Sequence, residues 1–332
     1  MENTFTIILN DAKPDSWPDI VWTDAKIAGA CVLLDNSIPM KSWQKRLRVF
    51  HFSNIANSSI WLPAKCFWDW SNGLRLEDLD PNKRNYVIFQ TGIKFSAHYI
   101  HRMKREKNVC IILYMPDNIH TIGIAKNKEE FDRFCRHYGV DQVYSFDKKD
   151  CKLFGAKFFD FYSMLPRPIK KDFTDTDLRK KILYVGNCRN KERLNILHRL
   201  YERLNTELHC IFYINGVAET DKKYQGIFYN HPLTYRNVVS LIQQSDAILE
   251  IINGKQAGNT LRFKEAVCYD KLLLTNNQNC QSDKYFSPQY MQVFTDIENI
   301  DIPFFNKQAA YNYRGEYSPY RLMELIVAND TH

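Results

Sequence analysis

The residues best suited to chemistry form one loop and the start of one helix. An apolar run at 247–252 leads into a loop that contains Gly254 and Gly258, so the backbone can approach a ligand closely there. Asn259 or Thr260 can then cap a helix over 261–269. The free N–H groups and partial positive charge of a helix N-terminus favour an anion. This segment therefore predicts a diphosphate site.

Two charged side chains follow in the first turns of that helix. Arg262 lies where a cation is unfavourable unless an anion is bound or a carboxylate pairs with it. Glu265 is three residues further on and can accept from both hydroxyls of a ribose. The alternative interpretation is an ordinary strand-to-helix turn that carries an Arg–Glu surface pair.

The elements that must position these residues alternate between strands and helices. The strands are apolar throughout, which is typical of a parallel sheet covered on both faces. We predict strands at 6–9, 86–89, 109–114, 143–146, 182–185, 210–214, 227–229, 247–252 and 271–274. We predict helices at 38–50, 94–107, 126–138, 191–204, 235–244, 261–269 and 320–328, with Pro14 and Pro18 excluding any helix within 11–37.

The domain organisation follows from a change of character after residue 165. Pro166, Pro168 and clustered charges predict a linker over 166–180 between two α/β domains, at 1–165 and 181–316. Ser318 and Pro319 open a last helix within 317–332. The fold class is therefore α/β, with two Rossmann-like, doubly wound domains.

Composition narrows the possible functions. The 332 residues carry a net charge of +7 without a basic tail, and 14% are aromatic, which excludes disordered chains and disfavours nucleic acid as a partner. The nine cysteines occur singly, and neither a signal peptide nor a membrane-spanning run is visible, so we expect a cytoplasmic protein. No dinucleotide-binding glycine motif, P-loop or zinc-protease motif occurs. The D-x-D triplets at 78–80 and 175–177 have the context of turns, so no metal is expected.

Two basic segments, at 41–48 and 101–107, have two interpretations. Each is either a solvated helix face or a contact with anionic lipid headgroups. Trp61, Phe67, Trp68 and Trp70 crowd into a neighbouring stretch that suits membrane contact or stacking on sugars.

The glycine loop and the helix after it also carry a resemblance. They resemble GT-B-fold glycosyltransferases of bacterial capsular polysaccharide, O-antigen and lipopolysaccharide biosynthesis. The resemblance is good across residues 140–290 and weak in the first 140 residues. The matching residues are Gln256, Gly258, Thr260, Arg262, Glu265, Ala266, Lys271, Leu273, Thr275 and Asn276. The match extends to Gly186, Asn187 and Arg193, where that family places a phosphate-facing loop.

The resemblance implies two domains that face each other across a cleft, with the last helix crossing back to the first domain. The C-terminal domain would bind a nucleotide sugar, with uridine the commonest base, and the N-terminal domain would bind the acceptor. No metal would be required, because the helix dipole and basic side chains would neutralise the leaving diphosphate. The donor-binding set then comprises Gly186, Asn187, Arg193, Tyr229, His231, Tyr235, Gln256, Gly258, Asn259, Thr260, Arg262 and Glu265. Within it, Tyr229, His231 and Tyr235 would supply stacking or hydrogen bonds to the nucleobase. The alternative for each of the three is packing in the core or on the surface.

The resemblance says less about the stereochemistry of sugar transfer and about the general base. Many retaining members have a second Glu eight positions before the ribose-binding one, and here Ala257 stands there, which favours inversion. An inverting enzyme needs a general base, for which Asp117 and Asp11 are the candidates because each follows a predicted strand. The alternative interpretation of each aspartate is a turn former.

We therefore expect transfer of a sugar, UDP-linked in the commonest case, to a lipid-linked or oligosaccharide acceptor at the inner face of the cytoplasmic membrane. The alternatives are a GT-B-fold sugar-nucleotide epimerase and a non-catalytic nucleotide-sugar-binding assembly protein.

Overall fold

The computed structural model describes residues 2–10, 12–34, 38–53, 62–165, 177–188, 190–252 and 260–330. The chain divides into two compact units. The first comprises Met1–Ser163 together with Glu316–His332, and the second comprises Met164–Gly315. Within the described ranges, no helix is both long enough and apolar enough to cross a membrane.

The first unit is built on a six-stranded parallel sheet. Its strands are β1 (Asn3–Leu9), β2 (Cys31–Leu34), β3 (Arg84–Gln90), β4 (Val109–Met115), β5 (Gln142–Ser145) and β6 (Lys157–Phe158). They lie in the order β2-β1-β3-β4-β5-β6 and every pairing is parallel. The central strands β3 and β4 are buried along almost their whole length, as their uninterrupted apolar character predicts.

The helices of this unit include four that the sequence did not predict. The helices are α1 (Trp17–Ile20), α2 (Thr23–Ile27), α3 (Ser42–Phe52), α4 (Ala97–Lys107), α5 (Ile119–Ile122), α6 (Lys128–Tyr138) and α7 (Lys148–Phe154), with 3-10 helices at Lys65–Ser71 and Leu76–Asp78. The four that the sequence did not predict are α1, α2, α5 and α7. The prediction of no helix within 11–37 was wrong. Pro18 stands in the first turn of α1, where its missing N–H has no helical partner to lose.

The second unit has its own six-stranded parallel sheet. Its strands are β7 (Lys181–Asn187), β8 (His209–Asn215), β9 (Phe228–Tyr229), β10 (Ala247–Glu250), β11 (Leu272–Thr275) and β12 (Met291–Val293). Its helices are α8 (Lys191–Leu204), α9 (Tyr235–Gln244) and α10 (Leu261–Cys268), with 3-10 helices at Glu219–Asp221, Gln278–Ser282, Ile297–Asn299 and Ile302–Asn306. The strand order is β12-β11-β10-β7-β8-β9, the doubly wound order of a Rossmann fold. The predicted fold class, two Rossmann-like α/β sheets, is confirmed.

Capping residues account for the helix bounds that agree best with prediction. Both α8 and α9 have the predicted bounds, and Thr234 caps α9 by accepting from the backbone N–H of Asn237. Gly139 ends α6 with a positive φ of 61°. Strand β12 was missed because its three residues form no apolar run that stands out from the loops beside it.

The C-terminal helix α11 (Pro319–Asp330) belongs to the first unit. The carboxylate of Asp330 accepts from Nε of Arg84 at 2.6 Å and from its Nη2 at 2.7 Å. The Gln142 side chain donates to the carbonyl of Ile326, and the Ser318 hydroxyl donates to Asp24. Both ends of α11 are thus tied to this unit.

Candidate functional site

Most of the candidate functional residues of the second unit lie near the carboxyl ends of β7 and β10. The strand that follows β7 in the chain, β8, lies on one side of this pair, and the strand that follows β10, β11, lies on the other side. The position between β7 and β10 is therefore the topological switch point of the sheet. Doubly wound sheets bind ligands at such a point. Strand β7 leads to α8, which carries Arg193, and β10 leads to α10, which carries Arg262.

Arg193 connects the two loops. Its Nη2 donates to the carbonyl of Ile251, just beyond β10, at 2.6 Å, and its Nη1 to the carbonyl of Asn187 at 3.3 Å. Burial raises the pKa of the Tyr184 hydroxyl, and the positive charges of Arg193 and Arg262 act against that rise. Two guanidinium groups therefore influence a single buried phenol on β7.

Gly186 and Asn187 were expected in a loop, and that expectation was wrong. They are the last two residues of β7. A Cβ added at Gly186 would lie 2.6 Å from the Tyr184 hydroxyl, so the glycine makes room for that ring. Asn187 is exposed at the end of the strand.

Thr260 is the cap of α10. Its hydroxyl accepts from the backbone N–H of Arg262 at 3.0 Å and donates to the Glu250 carboxylate. The Thr275 hydroxyl donates to the other oxygen of Glu250. Glu250 is 2% exposed, and its burial raises its pKa. The sequence analysis missed this residue, although an acidic residue that ends an apolar strand before a glycine loop was the available signal.

Glu265 lies beneath Arg262 with no exposed side-chain surface. Arg262 donates to one carboxylate oxygen, and the Tyr235 hydroxyl donates to the other at 2.7 Å. Burial raises the pKa of Glu265, and Arg262 opposes the rise. Both carboxylate oxygens thus have donors from the protein, which favours a role in positioning Arg262, while the expected ribose contact stays a prediction. The pair is not a surface pair, since the Arg262 side chain is only 19% exposed.

Two of the three residues expected at the nucleobase have structural partners. The Tyr229 hydroxyl lies 2.7 Å from Nε2 of His198 and accepts from the backbone N–H of Lys223. Tyr235 faces Glu265, as described. His231 is exposed on the loop after β9. Tyr229 and Tyr235 are buried, which agrees with packing in the core, and the base contact stays a prediction for all three residues.

Several predicted residues lie outside the described part of the chain. They are Gln256, Gly258, Asn259, Asp11 and Trp61. Among their neighbours in sequence, Trp68 is buried at 2% exposure, whereas Phe67 and Trp70 are exposed.

Asp117 lies on an exposed turn after β4. Its carboxylate accepts from the backbone N–H of Asn118 at 2.8 Å. Nearby, the buried Asp150 accepts from the backbone N–H of Ile119 at 2.8 Å and so holds the start of α5. Burial raises the pKa of Asp150, and the charges of Asp147 and Asp117 add to the rise. The proposed role of Asp117 as a base stays a prediction.

The switch point of the first sheet lies between β1 and β3. Asn10 directly follows β1, and its Nδ2 donates to the carbonyls of Gln90 at 3.1 Å and Gly92 at 2.5 Å. Its Oδ1 is buried and has no hydrogen-bond partner among the described residues. Thr91 has a φ of 70°, an unusual conformation for this residue type. Asn10 thus places a buried amide oxygen at this switch point, which the sequence did not predict.

Three of the four Lys and Arg residues in the second basic segment form ion pairs. On α4, Arg102 and Arg105 both pair with Glu106, and Lys104 pairs with Asp141 at 2.6 Å. This geometry favours the solvated-helix interpretation for 101–107.

Comparisons with known proteins were made by sequence and by structure. No protein-family model matches the chain, and no curated protein matches its sequence. Among solved structures, the chain is similar to the glycotransferase of kitacinnamycin (9% identity, 99% of both chains covered, TM-score 0.48). It is similar to the spinosyn forosaminyltransferase SpnP (10% identity, 98% of this chain and 100% of that one, TM-score 0.49). It is also similar to a putative UDP-N-acetylglucosamine 2-epimerase from Listeria monocytogenes (11% identity, 97% and 95% covered, TM-score 0.47).

Proposed function

We propose that this protein is a GT-B glycosyltransferase whose second unit binds a nucleotide diphosphate sugar. The observation that carries the proposal is the placement of two arginines at the switch point between β7 and β10. Arg193 donates from α8 to the carbonyl of Ile251 just beyond β10, and Arg262 lies in the first turn of α10. Two cations at the carboxyl edge of a doubly wound sheet, beside the N-terminus of α10, are suited to a diphosphate.

The chemistry assigned to this site is stabilisation of a leaving group. When the bond between the sugar C1 and the diphosphate oxygen breaks, the electron pair stays on the nucleotide. Arg193, Arg262 and the free N–H groups of α10 would offset that negative charge. We propose that these groups do so without a metal.

Other buried groups would position these donors. Glu265 and Tyr235 fix the guanidinium of Arg262. Glu250 and Thr275 hold the hydroxyl of Thr260, which caps α10. We assign Glu265 to this positioning role.

The acceptor hydroxyl must lose a proton as it attacks, and we propose Asp117 or Asp11 as the base of an inverting reaction. Asp11 follows Asn10, which lies at the switch point of the first sheet. Replacement of the true base by Asn is expected to lower kcat about 10²–10⁴-fold and to leave donor affinity unchanged. Asp117→Asn and Asp11→Asn therefore distinguish the two candidates.

For the finer assignment we propose a UDP-sugar donor and a lipid-linked or oligosaccharide acceptor in bacterial surface polysaccharide biosynthesis. The motif from Gln256 to Asn276 supports the pathway by resemblance. The exposed apolar side chains of α3 support peripheral attachment at the inner face of the membrane, where such an acceptor would be carried.

Calorimetric titration with UDP tests the donor site. Arg262→Ala and Arg193→Ala should each weaken binding about tenfold or more, because each removes a charge-assisted contact to phosphate. Arg199→Ala is the matched control, since that arginine also lies on α8 but is 58% exposed. Equal affinity in all four proteins would refute the site.

Mass spectrometry with a panel of nucleotide sugars then tests the reaction. Sugar transfer to an added glycan acceptor is the expected result. If an isomerised nucleotide sugar forms without any acceptor, the protein is an epimerase and the proposal of a glycosyltransferase is wrong. Binding without any turnover of the panel would replace it by a non-catalytic assembly protein.

A further inference from the structure

Helix α3 turns an apolar stripe away from its own unit. Trp43, Leu47 and Phe50 are spaced i, i+4 and i+7, which places them on one face of the helix. Their exposed fractions are 60%, 47% and 58%. A helix on a globular unit normally packs such a stripe against the core. Here the stripe faces solvent.

The opposite face of α3 holds the helix in this orientation. Arg48 is 3% exposed and donates through Nη2 to the carbonyl of Lys94 at 3.2 Å. Its guanidinium lies over the ring of Phe52, 5.6 Å from the ring centroid. Because Arg48 and Phe52 make the inward contacts, the stripe has a fixed outward direction.

The neighbouring 3-10 helix Lys65–Ser71 extends the exposed apolar surface. Nε1 of the buried Trp68 donates to Nδ1 of His51 at 2.9 Å, which joins this helix to α3. Phe67 and Trp70 flank Trp68 and are 65% and 50% exposed. Five large apolar side chains on two joined elements form a surface that a protein in solution rarely leaves uncovered. We call it the α3 surface, defined by Trp43, Leu47, Phe50, Phe67 and Trp70.

The charged side chains of α3 and of the residues beside it in sequence have one sign. Lys41, Lys45 and Arg46 are exposed, and residues 38–53 contain no Asp or Glu. On α4, in contrast, Arg102 and Arg105 pair with Glu106, and Lys104 pairs with Asp141. A basic, Trp-containing amphipathic helix is the type that lies in the interface of an anionic bilayer.

We propose that the α3 surface docks on an anionic lipid bilayer, with α3 parallel to the membrane plane. Trp43, Leu47 and Phe50 would enter the headgroup and acyl boundary, while Arg46, which borders the stripe on the helix, contacts lipid phosphates. Docking on the bilayer would bring the enzyme to a lipid-carried acceptor, and only this purpose of the docking rests on the proposed function.

Flotation with lipid vesicles tests the docking directly. The full chain should float with vesicles of phosphatidylcholine that contain about one third phosphatidylglycerol, and not with pure phosphatidylcholine. Arg46→Glu combined with Leu47→Ser should lower the bound fraction at least about tenfold, since it reverses one charge and removes one apolar contact. The matched control is Lys152→Glu with Leu153→Ser, an equally adjacent cation and leucine on α7, where Leu153 is 62% exposed. It should bind as the unchanged protein does.

Two results would overturn the proposal. One is failure of the unchanged protein to float with anionic vesicles, which is also the outcome if the α3 surface serves a protein partner. The other is an equal loss in the α7 control. Thermal unfolding of each variant confirms that it folds. UDP affinity measured without vesicles keeps the two proposals separate, because the α3 substitutions should leave it unchanged.

Discussion

Replacement of Arg262 by Ala should leave a buried carboxylate without its guanidinium partner. Glu265 has no exposed side-chain surface and would retain the hydroxyl of Tyr235 as its hydrogen-bond donor from α9. The charge of the adjacent Lys264 also favours the ionised form of Glu265. Removal of one partner from a buried ion pair typically destabilises a protein by about 3–5 kcal/mol.

That free energy converts into a measurable shift in melting temperature. For a unit of about 150 residues, each 1 kcal/mol lowers Tm by about 2–4 °C. A loss of about 3 kcal/mol therefore lowers the Tm of the second unit by about 6–12 °C. Differential scanning calorimetry at pH 7 measures it, with Arg199→Ala as the control because that arginine is 58% exposed.

The pH dependence of the loss has a defined sign. Without Arg262, burial raises the pKa of Glu265 further above its ordinary value, so the folded protein binds the proton more tightly than the unfolded chain does. The stability of the variant is then retained below the unfolded pKa, at about pH 4.3, and is lost as the pH rises through the folded pKa. The difference from the unchanged protein should widen from acidic towards neutral pH.

A second substitution separates charge from packing. Glu265→Gln in the Arg262→Ala background removes the stranded charge but can still accept from Tyr235, so most of the lost Tm should return. A Tm that does not change in Arg262→Ala, or that does not recover in the double variant, would refute the assignment of Glu265 as a buried partner of Arg262.

Two further predictions concern packing and the C-terminal helix. Arg84→Met should lower the free energy of unfolding of the first unit by about 1–3 kcal/mol, since it breaks the two contacts to Asp330, while Arg321→Met on the exposed face of α11 should have little effect. The hydrogen bond from Arg84 holds the pKa of Asp330 below its usual value. The stability that this pair contributes is therefore present above about pH 3.9 and is lost as the pH falls through the pKa of Asp330 in the folded protein. Urea unfolding at pH 7 and at pH 3 measures this difference, and an equal effect of Arg84→Met at both pH values would count against the prediction. Gly186→Ala should cost about 1–3 kcal/mol because the new Cβ meets the Tyr184 hydroxyl, and Tyr184→Phe in the same chain should recover part of that loss by thermal unfolding.

The alternation of apolar runs and helices was sufficient to predict two parallel α/β sheets. Helix bounds were most accurate where a cap is present, as at Thr234 and Gly139. Elements without such signals were missed, including α1, α2 and β12, because short segments are set by contacts made after the chain has folded. Pro18 misled the prediction because a proline in the first turn of a helix is tolerated.

The candidate site was only partly predictable, because residue types do not specify partners. Arg262 and Glu265 were identified as a pair, but their spacing could not show that Glu265 is buried and also bound to Tyr235, 30 residues earlier. Likewise, nothing local indicates that the loops after β7 and β10 are neighbours. That follows from strand order, which is a property of the whole sheet.

Helix α3 shows the same limit and its physical cause. The spacing of Trp43, Leu47 and Phe50 correctly places the three on one face, yet periodicity identifies a face and not what covers it. Which face of α3 is covered depends on the inward contacts of Arg48 and Phe52, which pack the face opposite the apolar stripe against the unit. Once those contacts are made, the apolar stripe must meet solvent or a partner. The absence of acidic residues from 38–53 then makes an anionic surface the partner that the charge pattern fits.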